Sequence, residues 1–421
     1  MKRRLVELLQ CPVCTGSLDL HVIEESAEEV SVPVQNPACN RYCTLLNITV
    51  GPGVNPSLFD CRACYARDIR TGVMRCARCR LFLPVIDGVP RLVRQAHEDY
   101  QDFFRKYRQE IARLEGHEDL LSRLNATDPA VFDRRTHESF SLQWERYQYE
   151  DKTWFKDDLS LRQDELLQSF DVPAQALRGT LILDTGCGNG RLTSTMSRYD
   201  AEVVGMDLSR SIGRANENRI AVAGKNAPFV HFIQGNVMEP PLRPGSFDLI
   251  HTSGVLHHTP DTWRAFASFL KLGRPGARVY VQLYRRRELW VQMVNTPLRF
   301  VTSRMPVRLL YNLCYAMVPV HTALVLLVAK LRGEESPITQ ATKRERAISL
   351  FDHLSPRYQY RYTPDQVRQR FTDAGLENVK DVTLANEARH MVAFLGLKNS
   401  ASPTPVSSNR IATGQPPISG N

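Results

Sequence analysis

The sequence predicts an α/β fold, a doubly wound and mostly parallel sheet, with a cysteine-rich domain before it and a helical insertion near its end. In the stretch 181–190, a short apolar run stops at Asp184 and three alternating glycines follow. Further apolar runs come downstream at the intervals that alternating strands and helices require. Eight of the ten cysteines stand in four close pairs, the last of them ending at Cys79. The glycines indicate a nucleotide-binding turn, and the cysteines indicate a metal-stabilised domain.

Length and composition fit a globular protein. A chain of 421 residues with 43% hydrophobic content can build at least one full core, and its length favours two domains. The apolar run after Met1–Arg4 is too short and too broken for a secretory signal, so the sequence predicts a cytoplasmic protein. Cysteines stay reduced in that compartment, which favours metal binding over disulfides for the clustered ones.

The cysteine pairs have the spacing of metal ligands. Two thiolates a few residues apart on a turn can occupy adjacent corners of a zinc tetrahedron, and two such turns complete a closed structural site. Four pairs therefore predict one or two structural Zn²⁺ ions in a domain of residues 1–95. Spacing leaves three pairings open, and cysteines without metal are the alternative. The pairs are Cys11/Cys14, Cys39/Cys43, Cys61/Cys64 and Cys76/Cys79.

Residues 96–137 follow as a charged stretch with aromatic side chains at roughly helical intervals, among them Tyr100, Phe103 and Tyr107. This spacing predicts a linker of one or two helices. At the other end of the chain, Ser, Pro, Gly, Thr and Asn dominate residues 399–421, which predicts a disordered tail.

The sheet begins with the glycine turn. Gly186, Gly188 and Gly190 let the backbone turn tightly and approach a ligand closely. Asp207 ends a second apolar strand, 23 residues after Asp184, where a carboxylate can accept hydrogen bonds from both hydroxyls of a ribose. Together these features favour a ligand that contains adenosine, and an ordinary strand-to-helix turn is the alternative.

Later apolar runs supply the other strands, predicted at 229–236, 247–253, 277–283, 379–384 and 390–397. Before the last two, Thr363, Pro364 and Gln366 have the pattern of a capping box with a first-turn proline. Gly375 then marks the end of that helix.

An apolar and basic insertion, residues 284–333, follows the fifth strand. The run 309–329 holds no charge over 21 residues, while residues 274–333 carry ten Lys/Arg and one acid, which accounts for the whole net charge of +9. Such a cap suggests a ligand that is greasy, anionic or held at an anionic membrane. Three forms stay open: a membrane-spanning helix, a helix at the membrane interface, and a buried pair of lid helices.

Five motifs together carry a specific resemblance: LILDTGCGNG (181–190), VVGMDLS (203–209), QGNVMEPPL (234–242), FDLIHTSGVLHHTPD (247–261) and LGRPGARVYV (272–281). The set closely resembles class I S-adenosylmethionine-dependent methyltransferases, of the branch that acts mostly on small molecules and lipids. It covers about residues 138–398. The resemblance implies a Rossmann-like sheet of seven strands, with the segment from Phe140 through Trp144 to Trp154 folded over the cofactor.

The same resemblance implies which residues bind S-adenosylmethionine. The glycines would pass under the methionine part, Asp207 would bind the ribose, and Asn236 stands beside the adenine, where the family usually has Asp. An Asn carbonyl can still accept a hydrogen bond from the adenine amino group, so this departure is mild. The predicted cofactor-binding residues are Asp184, Gly186, Cys187, Gly188, Asn189, Gly190, Asp207, Leu208, Asn236, Val237 and Ser253.

The N-terminal region carries a second resemblance. Residues 8–14 and 74–91, which hold the first and last cysteine pairs, resemble the small zinc-ribbon domain that activates several methyltransferases. In that family the first and last pairs share the metal. This leaves Cys39/Cys43 to pair with Cys61/Cys64 on an insertion.

Few catalytic residues are expected. Methyl transfer from a sulfonium is an in-line displacement that needs no metal, so positioning and exclusion of water can supply much of the rate. His257 and His258 follow the fourth strand, at the crevice where open α/β sheets bind ligands, and a near-neutral His is a suitable base for a hydroxyl acceptor. His258 is the first candidate, and a structural histidine is the alternative. Asp352, His353 and Tyr358 lie in a segment that resembles the acceptor-facing part of these enzymes.

The sequence thus predicts a methyltransferase for a small-molecule or lipid-like acceptor, cytoplasmic and in contact with an anionic membrane if the cap is interfacial. One rival is an rRNA guanine methyltransferase, because bacterial enzymes of that kind also join a four-cysteine zinc finger to this fold, and six arginines between residues 62 and 80 suit phosphates. Nucleic acid ranks lower as a partner, since the chain is neutral outside the cap. The other rival is a cofactor-binding scaffold protein without activity, which the intact glycines and Asp207 argue against.

Overall fold

The computed structural model of the chain describes residues 1–114, 133–147, 159–286, 289–331, 333, 338 and 341–399. The predictions for Trp154, for linker residues 115–132 and for the tail beyond residue 399 lie outside the described residues.

The N-terminal domain contains six strands and one α-helix: β1 (Leu18–Ala27), β2 (Tyr42–Cys43), β3 (Ile48–Thr49), α1 (Cys61–Tyr65), β4 (Arg67–Cys76), β5 (Phe82–Ile86) and β6 (Val89–Pro90). Four strands form an antiparallel sheet in the order β1-β4-β5-β6, while β2 and β3 pair as a separate hairpin. Leu18 lies opposite Cys76 in the register of β1 and β4. The turns that carry the first and last cysteine pairs therefore meet at one end of this sheet.

Short helices connect this domain to the central sheet: α2 (Ala96–Asp99), α3 (Gln101–Lys106), α4 (Arg108–Ala112), α5 (Arg134–Arg146) and α6 (Leu159–Phe170). Phe103 and Phe104 of α3 are buried against Val73 and Phe82 of the N-terminal sheet. The linker thus packs on the domain that it leaves. α5 begins where the Asp133 side chain accepts a hydrogen bond from the Thr136 backbone N–H.

The central sheet has seven strands: β7 (Leu181–Thr185), β8 (Glu202–Asp207), β9 (Val230–Gln234), β10 (Phe247–Ser253), β11 (Gly273–Tyr284), β12 (Leu376–Asp381) and β13 (Met391–Lys398). Their order is β12-β13-β11-β10-β7-β8-β9, and only β13 runs antiparallel to its neighbours. The predicted doubly wound, mostly parallel sheet is confirmed. Because the chain leaves β7 toward β8 on one side and returns to β10 on the other, a crevice opens at the carboxyl ends of β7 and β10.

The remaining helices are α7 (Arg191–Met196), α8 (Ile212–Ala223), α9 (Thr262–Leu270), α10 (Leu289–Thr302), α11 (Val307–Leu331), α12 (Lys343–Leu354) and α13 (Pro364–Asp373). α13 starts with the predicted capping box between Thr363 and Gln366, and Gly375 follows it with φ +74°. Since that turn is so tight, β12 begins at Leu376, three residues before the predicted start of the strand.

The inserted cap is formed by α10 and α11 and packs on α12. Along α11 the buried residues form one strip of Leu310, Tyr311, Cys314 and Val318. The first three pack in a cluster with Phe351 of α12. Only 17% of the most apolar window of α11 is buried, so of the three forms left open by the sequence, a buried pair of lid helices does not fit this helix. The mean hydropathy of that window is 1.8, and among the described residues α11 is the one helix long and apolar enough, by length and composition, to cross a membrane.

A continuous core joins the N-terminal domain to the central sheet. Leu9 and Leu83 are buried in the same cluster as Ile233 of β9. Backbone pairing continues across the boundary, since the Leu92 N–H donates to the Gln234 carbonyl over 2.9 Å. The edge strand β9 is therefore covered by the first domain rather than exposed.

Buried charges lie along the same boundary. The Glu202 carboxylate accepts a hydrogen bond from the Tyr65 hydroxyl at 2.7 Å and lies 2.8 Å from His231 Nε2 and 3.4 Å from an Arg4 guanidinium nitrogen. Burial opposes the ionisation of Glu202, but Arg4 and His231 outweigh burial and lower its pKa to about 2. We call these four residues the Glu202 cluster.

Candidate cofactor and acceptor site

The glycine turn after β7 requires glycine at each of its three positions. Gly186, Gly188 and Gly190 all have positive φ angles, of 70°, 54° and 74°. A Cβ atom on Gly186 would lie 2.1 Å from Val255, and one on Gly188 would lie 2.4 Å from Trp144. Side chains from two other parts of the chain therefore close over the turn, and any larger residue would push them away.

Two acids at the ends of neighbouring strands are held in fixed orientations. Asp207 accepts hydrogen bonds from the backbone N–H groups of Gly188, at 2.9 Å, and Ser209, at 2.8 Å. Burial raises the pKa of Asp207, while these two N–H groups oppose the rise. Asp184 accepts from the Thr193 hydroxyl at 2.6 Å and lies 2.8 Å from His251 Nδ1. Each carboxylate oxygen can accept a further bond, so both acids suit a ligand rich in hydroxyl and amino groups.

Asn236 lies two residues after the end of β9, and the chain itself already orients its amide. Its side-chain oxygen accepts a hydrogen bond from the Met238 backbone N–H at 2.9 Å. This oxygen has a second lone pair, so it can still accept a hydrogen bond from an adenine amino group. The adenine contact of Asn236 stays a prediction.

A cavity of about 860 Å³ opens at the carboxyl ends of β7, β8 and β10. This is near the upper end of ligand-pocket volumes, which run from about 300 to 1,000 Å³. Eight predicted cofactor residues line it: Asp184, Gly186, Cys187, Asp207, Leu208, Asn236, Val237 and Ser253. The other three predicted residues form part of the turn but do not line the cavity: Gly188, Asn189 and Gly190. Asn189 accepts a hydrogen bond from the Arg191 N–H at the start of α7 instead of facing the cavity.

The glycine cradle, the ordered Asp207 and the cavity volume fit an adenosine-containing cofactor such as S-adenosylmethionine. α5 forms one wall of this space through His137, Phe140, Gln143 and Trp144. The sequence indicated Phe140 and Trp144 through their resemblance to a covering segment. His137 and Gln143 gave no such signal, since polar residues within a charged helix are ordinary.

The far end of the cavity is lined by the cap and by the segment before α13. Apolar side chains there include Leu298, Leu350, Leu354 and Met391. Polar groups converge among them, notably His258, Asp352 and Tyr284. This end has the mixture of apolar wall and few polar groups that is typical of small-molecule sites. We call it the acceptor end.

The two predicted histidines occupy different positions. His258 lines the cavity, and its Nδ1 lies 2.8 Å from the Tyr358 carbonyl, an arrangement in which Nδ1–H donates and Nε2 accepts. Burial lowers the pKa of His258 to about 3, so its ring is neutral at physiological pH. His257 is fully buried against Tyr284, with ring centroids 3.9 Å apart, and is not among the cavity-lining residues. His257 therefore packs against Tyr284 and does not face the cavity.

Asp352 is the most perturbed acid at the acceptor end. Burial raises its pKa to about 6, against hydrogen bonds from the Gln143 amide at 3.1 Å and the Tyr284 hydroxyl at 3.3 Å. His353 also lines the cavity, whereas Tyr358 reaches the site through its backbone carbonyl, which binds His258. Acids with a raised pKa in a ligand cavity are candidates for proton transfer.

The first and last cysteine pairs form a metal-type cluster. The sulfur atoms of Cys11, Cys14, Cys76 and Cys79 all lie within 4.8 Å of one another, with Cys11–Cys79 at 3.5 Å and Cys14–Cys76 at 3.4 Å. Tetrahedral zinc with Zn–S bonds of about 2.3 Å places sulfurs roughly 3.8 Å apart, so the donor set fits zinc. A Cβ on Gly16 would lie 3.2 Å from two of these sulfurs. The pairing implied by the zinc-ribbon resemblance is the one observed.

The two inner pairs meet elsewhere. Cys39, Cys43, Cys61 and Cys64 are all buried and line one small cavity beneath the β2–β3 hairpin. Among the described residues, only the outer set has all four sulfur atoms within 4.8 Å of one another, so the sulfurs of the inner set are more widely spread. The Ala38 N–H points to the Cys61 sulfur at 3.3 Å, a contact that also suits a thiolate. A second zinc ion at this set stays a prediction.

The fold and the site define the class of the protein. A glycine turn, an acid at the end of the second strand and a cavity at the switch point of a doubly wound sheet are the parts of a nucleotide-cofactor site. Residues 183–281 match the family described as methyltransferase domain, and residues 2–88 match the Trm112p-like protein family. The chain therefore carries a class I S-adenosylmethionine-dependent methyltransferase domain behind a Trm112p-like domain with a four-cysteine cluster.

Curated relatives resemble the methyltransferase part. The ubiquinone biosynthesis O-methyltransferase of Pectobacterium carotovorum is 29% identical over 126 residues, 29% of this chain and 50% of that protein. The O-methyltransferase cnsE of Penicillium expansum is 32% identical over 28% of this chain and 43% of its own length. The demethylmenaquinone methyltransferase of Lactococcus lactis is 29% identical over 29% and 49%. The chain thus spans about half the length of the curated relatives it matches.

Solved structures align over a larger share of the chain but with low identity. The magnesium protoporphyrin IX methyltransferase of Synechocystis aligns with a TM-score of 0.37 and 13% identity, over 62% of this chain and 98% of that one. The complex of the Haloferax volcanii Trm112 methyltransferase activator with a methyltransferase aligns with a TM-score of 0.35 and 14% identity, over 63% and 97%.

Proposed function

We propose that the protein transfers a methyl group from S-adenosylmethionine to a small, lipid-like acceptor bound at the acceptor end of the cavity. The observation that carries the proposal is the continuity of this cavity. Its one end is lined by Asp207 and Asn236, and its other end by apolar cap residues such as Leu298. The bound cofactor supplies an electrophilic methyl group on a sulfonium, so the acceptor must present its nucleophile between the two ends.

The protein's own contribution is positioning, exclusion of water and acceptance of a proton. α5 and the cap close the site from two sides, which holds both ligands in a dry cavity. Asp352 is the first candidate to accept the acceptor's proton, because its pKa of about 6 leaves it ionised at neutral pH and yet basic enough to act. Gln143 and Tyr284 fix its carboxylate in the cavity.

His258 is the second candidate base. Its Nδ1 is engaged by the Tyr358 carbonyl, which leaves Nε2 as the acceptor. With a pKa of about 3, its imidazole holds a proton less firmly than Asp352 does. We therefore propose that Asp352 accepts the proton of the methyl acceptor and that His258 forms a hydrogen bond to the acceptor.

The lipid-like character of the acceptor is supported by the apolar lining and by the relatives. Two of them are named for ubiquinone biosynthesis and for demethylmenaquinone. RNA is less well supported, since Arg62 and Arg78 of the arginine-rich N-terminal stretch already donate to backbone carbonyls, at 3.0 and 3.3 Å.

Cofactor binding is tested by titration calorimetry with S-adenosylmethionine and its demethylated product. Asp207→Ala should weaken binding by about 2 kcal/mol, because charge-assisted hydrogen bonds are lost. Glu377→Ala, at an exposed position on β12, serves as the matched control and should bind normally. Equal binding by Asp207→Ala removes this acid from the site, and preferential binding of a nicotinamide dinucleotide contradicts the proposal.

The acceptor class is tested by incubating the protein and labelled cofactor separately with lipid, small-metabolite and RNA extracts. Label in the lipid or small-metabolite fraction supports the proposal. Label in the RNA fraction favours the rRNA alternative, and cofactor binding without label in any fraction favours a non-catalytic scaffold. The Asp207→Ala protein is the control for transfer that depends on this site.

A further inference from the structure

The exposed apolar side chains of the protein are concentrated on the cap. Of the 17 large hydrophobic residues that are exposed within the described parts of the chain, 14 lie between Met293 and Leu331. Six residues on α11 show the pattern, with exposures from 43 to 78%: Leu313, Met317, Val320, Leu324, Leu327 and Leu331. Contiguous apolar surface of this kind marks an interaction site on soluble proteins.

The packing of α11 excludes a path straight through a bilayer. Leu310, Cys314 and Val318 are buried and recur every four residues along one face of the helix. Leu310 and Cys314 pack in a cluster with Phe351 of α12, which fixes this face against the protein. α12 begins with Lys343, Arg344, Glu345 and Arg346, which a spanning α11 would draw into the hydrocarbon region. The helix instead suits an orientation along a membrane surface, with its packed face toward the protein and its exposed face toward the lipid.

Charge favours an anionic partner at the same surface. Arg304 lies three residues before α11 and Arg308 in its first turn, and both are exposed, as is Lys330 at the end of the helix. A helix of 25 residues is roughly 38 Å long, so these cations lie at the two ends of an apolar stretch. Residues 274–333 contain a single acid. A second copy of the chain would bring like charges together, whereas anionic headgroups would neutralise them.

The apolar surface and the cavity are built from the same two helices. Leu298 of α10 both lines the cavity and is 47% exposed. Asn295 of α10 and His321 of α11 also line the cavity. An apolar acceptor could therefore pass from a membrane to the acceptor end along α10 and α11 without crossing water.

We infer that α10 and α11 dock the protein on one leaflet of an anionic membrane and admit the methyl acceptor from it. The docking depends on the exposed face of α11 and on its terminal cations. The entry of the acceptor rests in addition on the proposed function.

The inference is tested by flotation with vesicles of phosphatidylcholine alone or mixed with phosphatidylglycerol. The wild type should float with the mixed vesicles and be released by salt, since the charge part of the attraction is screened. Arg304→Gln with Arg308→Gln and Lys330→Gln should weaken binding roughly 100-fold, from the loss of three surface cations. Leu324→Gln with Leu327→Gln should also weaken binding, and Ile220→Gln, an equally exposed apolar residue on α8, should not.

Cofactor titration on every variant shows whether the fold is intact. A wild type that stays at the bottom of the gradient overturns the docking. A wild-type dimer in sedimentation equilibrium that Leu324→Gln and Leu327→Gln convert to a monomer also overturns it, because a second copy then covers this face. Methyl transfer in extract without flotation leaves the proposed function standing while docking fails. Flotation without transfer has the opposite meaning: docking stands and the proposed activity fails.

Discussion

The N-terminal domain and the cap are attached to the same sheet in opposite ways. The first domain covers the edge strand β9 with a common core and backbone pairing, and its charges are paired inside the protein at the Glu202 cluster. The cap packs on α12 with one strip of residues and leaves most of its apolar surface exposed. The first domain buries its apolar surface within the chain itself. The cap keeps an exposed apolar surface of the kind that marks an interaction site.

Two acids make the same contrast. Glu202 lies among partners that lower its pKa to about 2, so its charge stabilises the fold. Asp352 lies in a cavity where burial raises its pKa to about 6, so its charge costs stability at neutral pH. Such a cost is expected where a group is kept for chemistry rather than for folding.

The largest expected effect is on the first attachment. Cys76→Ser removes one thiolate from the outer cysteine cluster. Because structural zinc contributes directly to folding, we expect the loss of one zinc ion per chain and a fall in the free energy of unfolding on the order of 5 kcal/mol. Metal analysis and urea unfolding, followed by circular dichroism, measure both.

Controls for this experiment lie in the same chain. Cys314→Ser changes a buried cysteine of the cap and should leave the metal content unchanged. Cys61→Ser should lose the second zinc, so that the wild type holds two ions and each metal-site variant holds one. A wild type with one ion, unchanged in Cys61→Ser, rules out the inner site, and a wild type without zinc rules out both.

Glu202→Gln should destabilise the protein by about 3 kcal/mol at pH 7, because Arg4 loses a buried partner. The folded-state pKa of Glu202 lies below its ordinary value, so its contribution is present above pH 4.5 and is lost as the pH falls toward 2. Urea unfolding of both proteins across this range should show the difference shrinking with falling pH. A difference that stays constant means that Glu202 acts through packing alone.

Asp352→Asn should change stability in the opposite direction, and we expect it to stabilise the apoprotein by about 3 kcal/mol at pH 7 to 8. The folded-state pKa of Asp352 is raised, so the cost of its charge grows as the pH rises from 3.8 to about 6 and is complete above that. The wild-type transfer rate should fall as the pH drops through about 6, and the variant should be slow at every pH. If Asp352→Asn transfers methyl groups at the wild-type rate, His258 and not Asp352 accepts the proton.

The smallest expected effects lie on the cap and compare two neighbouring valines. Val318→Ala, at a position that is 2% exposed, should destabilise the protein by about 1.5 kcal/mol through lost burial and a small cavity. Val320→Ala, at a position that is 51% exposed, should change stability by less than about 0.5 kcal/mol. If thermal unfolding shows the same loss of stability for both variants, the exposed face of α11 is covered in solution.

The cofactor half of the site could be predicted because its signals are local. Gly186, Gly188 and Gly190 report backbone angles that only glycine adopts readily, and all three have positive φ. Strand positions followed from apolar runs with an error of a few residues. The zinc pairing needed a resemblance, because spacing shows that two cysteines are close but not which distant pair joins them.

The acceptor half could not be predicted in the same way. Gln143 and Asp352 meet across 209 residues of sequence, and neither residue is unusual in its own surroundings. His257 and His258 are adjacent and chemically identical, and only packing placed one of them in the cavity and the other against Tyr284. The exposure of α11 also depended on which of its faces met α12.

The sequence by itself determined the doubly wound sheet, the glycine turn, Asp207 and the existence of four metal-type cysteine pairs. These depend on backbone angles, on alternation of apolar runs and on short spacings, all of which act within a few residues. Tertiary structure alone decided the raised pKa of Asp352, the outward face of the cap and the shared core that binds the first domain to β9. The physical reason is that desolvation and burial belong to a place in space, and distant segments must return to that place before it exists.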